Sequence, residues 1–212
     1  IGVKHIKTIG TGESHSFVIT QDDKVLVWGL NQYGQCGLPG VEDGAMIETP
    51  HEIVELSGKD IIQITGGEHH TLALTSSGDV YVFGRYDMKE IGLKKEQLPL
   101  DDCVVDNHGN VRCMPTPFKL TTLPACKTIS CGSHHSLAVS KSGIVFSWGF
   151  ADTYALGLGN LDDDIDTPTK IFNTATKTYD IQLVGRGGQF SVSGGVQLNE
   201  QVTDKRLDEF ED

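Results

Sequence analysis

Ile9-Gly10-Thr11-Gly12-Glu13-Ser14-His15-Ser16 returns as Ile64-Thr65-Gly66-Gly67-Glu68-His69-His70-Thr71 and again as Ile129-Ser130-Cys131-Gly132-Ser133-His134-His135-Ser136. A looser copy, VGRGGQFSVSG, begins at Val184. The anchoring glycines Gly12, Gly67, Gly132 and Gly187 stand 55, 65 and 55 residues apart, near or above the ~40–50 residue periods of propeller blades. In the first three copies an aromatic-glycine pair (Trp28-Gly29, Phe83-Gly84, Trp148-Gly149) places its glycine 17 residues beyond the anchor. Gly37, Gly92 and Gly157 follow at 25 residues beyond it. Offsets held across three copies define one repeating unit. The extra residues between the second and third anchors therefore belong to an insertion loop, from about Glu96 to Pro117.

Each copy reads as strand, turn, strand, turn, strand. Short β-rich runs (Ser16 to Thr20, Thr71 to Thr75, Ser136 to Ser140) lead through polar turns into Val25 to Trp28, Val80 to Phe83 and Ile144 to Trp148, where β-branched and aromatic residues dominate. Pro50, Pro115, Pro117 and Pro168 precede apolar runs, where the start of a fourth, edge strand tolerates a missing N–H. A four-stranded unit cannot bury both faces alone, so copies must stack around an axis. The repeated glycines fit that crowding, through positive φ or close backbone approach. The expectation is an all-β chain of about three and a half four-stranded propeller blades: 6–56, 57–120, 121–178 and a partial 179–200, then an acidic tail, 201–212.

Composition agrees with many turns and short strands: 25 of 212 residues are Gly, above the usual ~7% share. The net charge of −12 argues against bare phosphate backbone as a partner for this segment. A basic protein surface suits it better. Part of the charge lies in Asp162, Asp163 and Asp164 and in the tail, which also read as solvated loops and a frayed end. Five cysteines without CxxC spacing point to a reducing compartment. No stretch approaches the ~18 apolar residues of a membrane span, so no membrane association is expected.

The pattern of apolar, two small residues, Gly, a variable pair, His, then Ser or Thr resembles the repeat motif of the regulator of chromosome condensation family. The resemblance covers about Ile6 to Val196. It implies a seven-bladed ring of which this chain is the C-terminal half, with an N-terminal half as partner. It implies a nuclear protein, associated with histones or nucleosomes through the complete molecule, that drives guanine nucleotide release from the small GTPase Ran. The family's wedge beside the GTPase phosphate-binding loop belongs to the N-terminal half. Two tryptophans in the chain speak against the family's photoreceptors, which depend on many. The alternative is a propeller-repeat scaffold or sensor that binds protein partners without exchange.

By the same resemblance, the variable pairs and neighbouring histidines of the turns form the GTPase contact: Glu13, Ser14, Glu68, His69, His134, Gln189 and Phe190. Phe190 stands where a functional histidine is expected. Gly12, His15, Gly67, His70, Gly132, His135 and Gly187 recur at fixed positions and read as structural, the imidazoles bonding backbone within the blade. Acidic residues such as Glu13, Glu68, Asp152 and Asp162 would steer a basic partner. The doublets His69-His70 and His134-His135 do not suit one metal ion, because adjacent strand residues face opposite sides. Cys103 and Cys113 bracket a hairpin turn expected at His108-Gly109, where a bridge is one option. GTGES at Gly10 lacks the lysine and strand-to-helix setting of a phosphate loop. No cofactor, metal or small-molecule substrate is expected, nor catalytic residues: exchange needs a surface, not a nucleophile.

Overall fold

Turns of a few residues join successive strands, so each must pair antiparallel with its predecessor. A computed structural model describes residues 5–40, 42, 44–199, 202 and 203. The tail, 201–212, lies outside these apart from Val202 and Thr203. Strands β1 (Ile6–Thr11), β2 (His15–Thr20), β3 (Val25–Leu30) and β4 (Met46–Glu52) form the first sheet in chain order. The second comprises β5 (Ile61–Gly66), β6 (His70–Thr75), β7 (Val80–Arg85), the short β8 (Val104–Val105) and β9 (Val111–Lys119), with β8 outermost beyond β9. The third is β10 (Cys126–Cys131), β11 (His135–Ser140), β12 (Val145–Gly149) and β13 (Ile165–Lys170), again in order. A two-stranded fourth sheet pairs β14 (Tyr179–Arg186) with β15 (Ser191–Gln197). The chain is all-β, a half propeller.

Two expectations about the outer strands need correction. The prolines lie inside the fourth strands, not at their starts: the pairing register slips between Val27 and Gly29, between Val82 and Gly84, and between Ser147 and Gly149. Pro50, Pro115, Pro117 and Pro168 sit in those irregular stretches, where no ladder N–H is required. Of the apolar residues after them, Phe118 is still in β9, whereas Ile53, Leu56, Leu120 and Ile171 lie beyond the strands and are buried. The linker 96–117 is likewise only partly loop. It supplies β8 and the first part of β9, joined by a turn in which the Asp106 carboxylate accepts the amides of His108 (2.8 Å) and Asn110 (2.9 Å). Cys103 and Cys113 are both free thiols.

The blades are joined by the repeat motif itself. His15 Nε2 lies 2.9 Å from Thr71 Oγ1, His70 Nε2 3.0 Å from Ser136 Oγ, and His135 Nε2 2.9 Å from Ser191 Oγ. The partner is thus the hydroxyl of the next blade, not backbone of the same blade. Thr71 and Ser136 pass the bond on, donating to the carbonyls of Gln35 (2.8 Å) and Glu90 (3.3 Å). The hydroxyl proton is committed there, so the histidine donates from Nε2. Burial keeps these imidazoles neutral, pushing His15 down to about 3 and His135 to about 4, and His70 well below its ordinary value.

The anchoring glycines make room for these rings. A Cβ on Gly12, Gly67 or Gly132 would stand 2.2, 2.4 or 1.9 Å from the ring of its own blade's histidine. A second joint lies further out, where Trp148 Nε1 donates to the Glu90 carbonyl (2.9 Å) and its ring rests on Gly92. Phe83 rests on Gly37 in the same manner.

Candidate functional site

The turns between the first two strands of each blade gather at one end of the propeller axis. Backbone bonds of 3.0 Å link them in sequence: Glu13 N to Gly67 O, Glu68 N to Ser133 O, and Ser133 N to Gly188 O. The arc brings together Glu13, Ser14, Glu68, His69, Ser133, His134 and the segment bearing Gln189. Glu13, Ser14 and Gln189 are exposed, Glu68 and His134 half-buried, and His69 buried.

Side chains continue the linkage. The Ser133 hydroxyl donates to the Glu13 carboxylate. Glu68 Oε2 lies 2.9 Å from His134 Nε2, and its Oε1 3.8 Å from His69 Nδ1. His69 packs against the Tyr33 ring at 4.6 Å. Gln32 Nε2 approaches His69 Nε2 at 2.9 Å; an amide nitrogen can only donate, so that ring nitrogen is an acceptor and the ring is neutral. Burial lowers its pKa, outweighing Glu68. His134 behaves in the opposite way: its interaction with Glu90, helped by Glu68, raises its pKa despite burial.

Phe190 belongs to a different series. A Cβ on Gly187 would stand 2.1 Å from its ring, so Phe190 occupies the slot of His15, His70 and His135 rather than that of the variable pair. It is 60% exposed on the flank of the two-stranded sheet. Asp152 and Asp162 are exposed in the connection from β12 to β13. Among the described residues, no three His, Cys, Asp or Glu side chains cluster to hold a metal ion.

Sequence reasoning missed several residues here. Tyr33 is flanked by the Arg85 and Arg112 guanidiniums at 4.9 and 4.6 Å from its ring. Arg186, in the slot before the anchoring glycine held elsewhere by Thr11, Gly66 and Cys131, reaches across the axis to the Gly66 carbonyl. Glu90 is fully buried and stands two residues before its repeat glycine, where the other blades have Gln35 and Ala155. Aligning the repeats at those slots would have singled out Glu90 and Arg186.

A propeller built from His-to-hydroxyl joints, with linked turns at one end of its axis, defines a class of repeat protein. The chain belongs to the RCC1-like domain family, whose match spans residues 1–193. It is 49% identical over its whole length to guanine nucleotide exchange factor SRM1 of Saccharomyces cerevisiae, covering 44% of that protein. It is 50% identical to Protein RCC1 of Candida albicans, covering 46%. The crystal structure of Saccharomyces cerevisiae Prp20p, described with its binding to Gsp1p and histones, superposes with a TM-score of 0.95 at 49% identity. That superposition covers 99% of this chain and 48% of Prp20p. The chain therefore spans about half the length of the relatives it matches.

Proposed function

We propose that this chain is the C-terminal half of a Ran guanine nucleotide exchange factor, its repeats 6–56, 57–120, 121–178 and 179–200 completed to a seven-bladed ring by an N-terminal half. The carrying observation is the arc of linked turn residues in a chain that shares 49% identity with an exchange factor. Glu13, Ser14, Glu68, His69, His134 and Gln189 form its contact with the GTPase, and Phe190 borders it. No covalent chemistry is involved. The complete protein binds the nucleotide-free GTPase more tightly than the loaded one, and only that differential affinity moves the equilibrium. The resemblance to chromatin-linked relatives supports a nuclear site of action with histones as further partners.

The test is release of labelled GDP from Ran, with this chain alone and then mixed with its N-terminal half. Acceleration only in the mixture is expected. No acceleration by a well-folded complex would overturn exchange and favour the scaffold. In the complete protein, His69→Ala should slow exchange by about tenfold, as loss of a well-packed contact residue does. An unchanged rate at wild-type stability removes His69 from the contact.

A further inference from the structure

Glu90 is a fully buried carboxylate that the architecture does not require. Gln35 holds the equivalent slot one blade earlier and does the same backbone work. Its side-chain oxygen accepts the Tyr33 amide at 2.9 Å, as Glu90 Oε2 accepts that of Met88 at 3.0 Å. The two main-chain carbonyls receive Thr71 and Ser136 alike. A glutamine therefore does the same backbone work with one buried amide nitrogen unpartnered, as Gln35 Nε2 is, and without burying a charge, which is costly unless the charge is paired. The remaining carboxylate oxygen, Glu90 Oε1, has no hydrogen-bond partner and faces His134 Nδ1 at 3.8 Å.

His134 is thus held between two carboxylates, Glu90 below at Nδ1 and Glu68 above at Nε2. Only the imidazolium has an N–H on both nitrogens. A neutral ring would turn a lone pair toward one carboxylate. We propose that Glu90 is a positioning residue: it fixes His134 as a cation, and His134 in turn holds the Glu68 carboxylate at the surface, presented to a lysine or arginine of the partner GTPase. This rests on the exchange reading above and names the chemistry of one contact within it. Glu68 retains 39% side-chain exposure, enough to meet such a group. His69, beside Gln35 and bonded to Gln32, stays neutral and packs rather than orients.

Other charges around the pair act in both directions. Arg85 faces Glu90 and His134 and opposes the imidazolium; Asp87 binds Arg85 bidentately and offsets it. His69 adjoins Glu68, Glu13 is tied in through Ser133, and the Phe150 ring meets His134 edge-on at 6.2 Å. Both carboxylates raise the pKa of His134, Glu90 most, while the shorter contact is that of Glu68 at 2.9 Å; burial raises the pKa of Glu90 itself, against which His134 and Arg85 act. The cationic form persists above the ordinary imidazole value and is lost as pH rises through the raised one.

The experiment is Glu90→Gln in the complete protein, with affinity for nucleotide-free Ran, GDP release and His134 titration by NMR followed over about pH 6 to 8. Gln35 shows that glutamine fits this slot, so wild-type stability is expected. Affinity should fall about fivefold near neutral pH, the scale of one surface hydrogen bond lost. That deficit should close toward pH 6, and His134 should titrate at lower pH than in the wild type. His134→Gln should match the deficit but not recover it at low pH. An unchanged affinity, or an equal loss at every pH with the His134 titration unmoved, would overturn the proposal. Wild-type protein inert toward Ran would instead sink the exchange reading, while the NMR titration would still report the Glu90–His134 linkage.

Discussion

The junction between the second and third blades and the flanks of the first and fourth blades are made from the same motif, with different completeness. At the interior junction Trp148 is fully buried on Gly92, and His70 reaches Ser136. On the outer flank of the first blade, Trp28 and Ser16 are only half-buried. The fourth sheet exposes Leu183, Val192 and Val196, and Phe190 is exposed in the turn between its strands. Each repeat thus carries half of two joints: histidine and glycine loop for the next blade, hydroxyl and aromatic for the preceding one. Stability in such a protein resides in the joints as well as the blades.

Substitutions at matched positions in the 212-residue chain, followed by urea denaturation, can break this comparison. Trp148→Ala should cost about 4 kcal/mol, as for other large buried aromatics. Trp28→Ala should cost about 1 kcal/mol, because less contact is lost. Equal costs would refute the division into filled and open joints. Gly67→Ala should cost about 3 kcal/mol by overpacking, since its Cβ would stand 2.3 Å from the Gly132 carbonyl oxygen and 2.4 Å from the His70 ring. Gly187→Ala meets only the exposed Phe190 ring at 2.1 Å, which can swing away; about 1 kcal/mol or less is expected. His70→Ala should cost about 2 kcal/mol by leaving Ser136 without its donor in the core.

A further effect, summed over three histidines, is set by pH. His15, His70 and His135 have folded pKa values depressed by burial, to about 3 for His15 and about 4 for His135. The unfolded chain takes up protons first, so stability is fully present above about pH 6.5 and declines as the pH falls toward the folded values. The urea midpoint should therefore drop between pH 7 and pH 5. A His15→Phe variant, copying the side chain of Phe190, should show a shallower drop. A midpoint flat over that range would mean that the joints do not report protonation.

Much of the architecture was legible because a repeat is a periodic constraint. Three glycine offsets held over three copies mark the blades, and β-rich runs between polar turns mark the inner strands. The outer strand was misplaced because its bulged pairing hides the period of two, as at Pro115 and Pro117 opposite the slip between Val82 and Gly84. The site was half legible. His69 and Glu68 stand in the variable pair, whereas Glu90 and Tyr33 reach the same face from loops beyond the next two strands.

By itself, the sequence determined the repeat, its all-β character and which positions must be small, since these depend on local conformation and on spacing along one chain. Only the tertiary structure decided that the repeat histidine bonds the hydroxyl of the next blade. It also decided that the pKa values of His69 and His134, equivalent in the motif, shift in opposite directions. Hydrogen-bond partners and ionisation are set by atoms brought close in space, here from residues more than thirty positions away, and the sign of a pKa shift follows from those neighbours rather than from the motif.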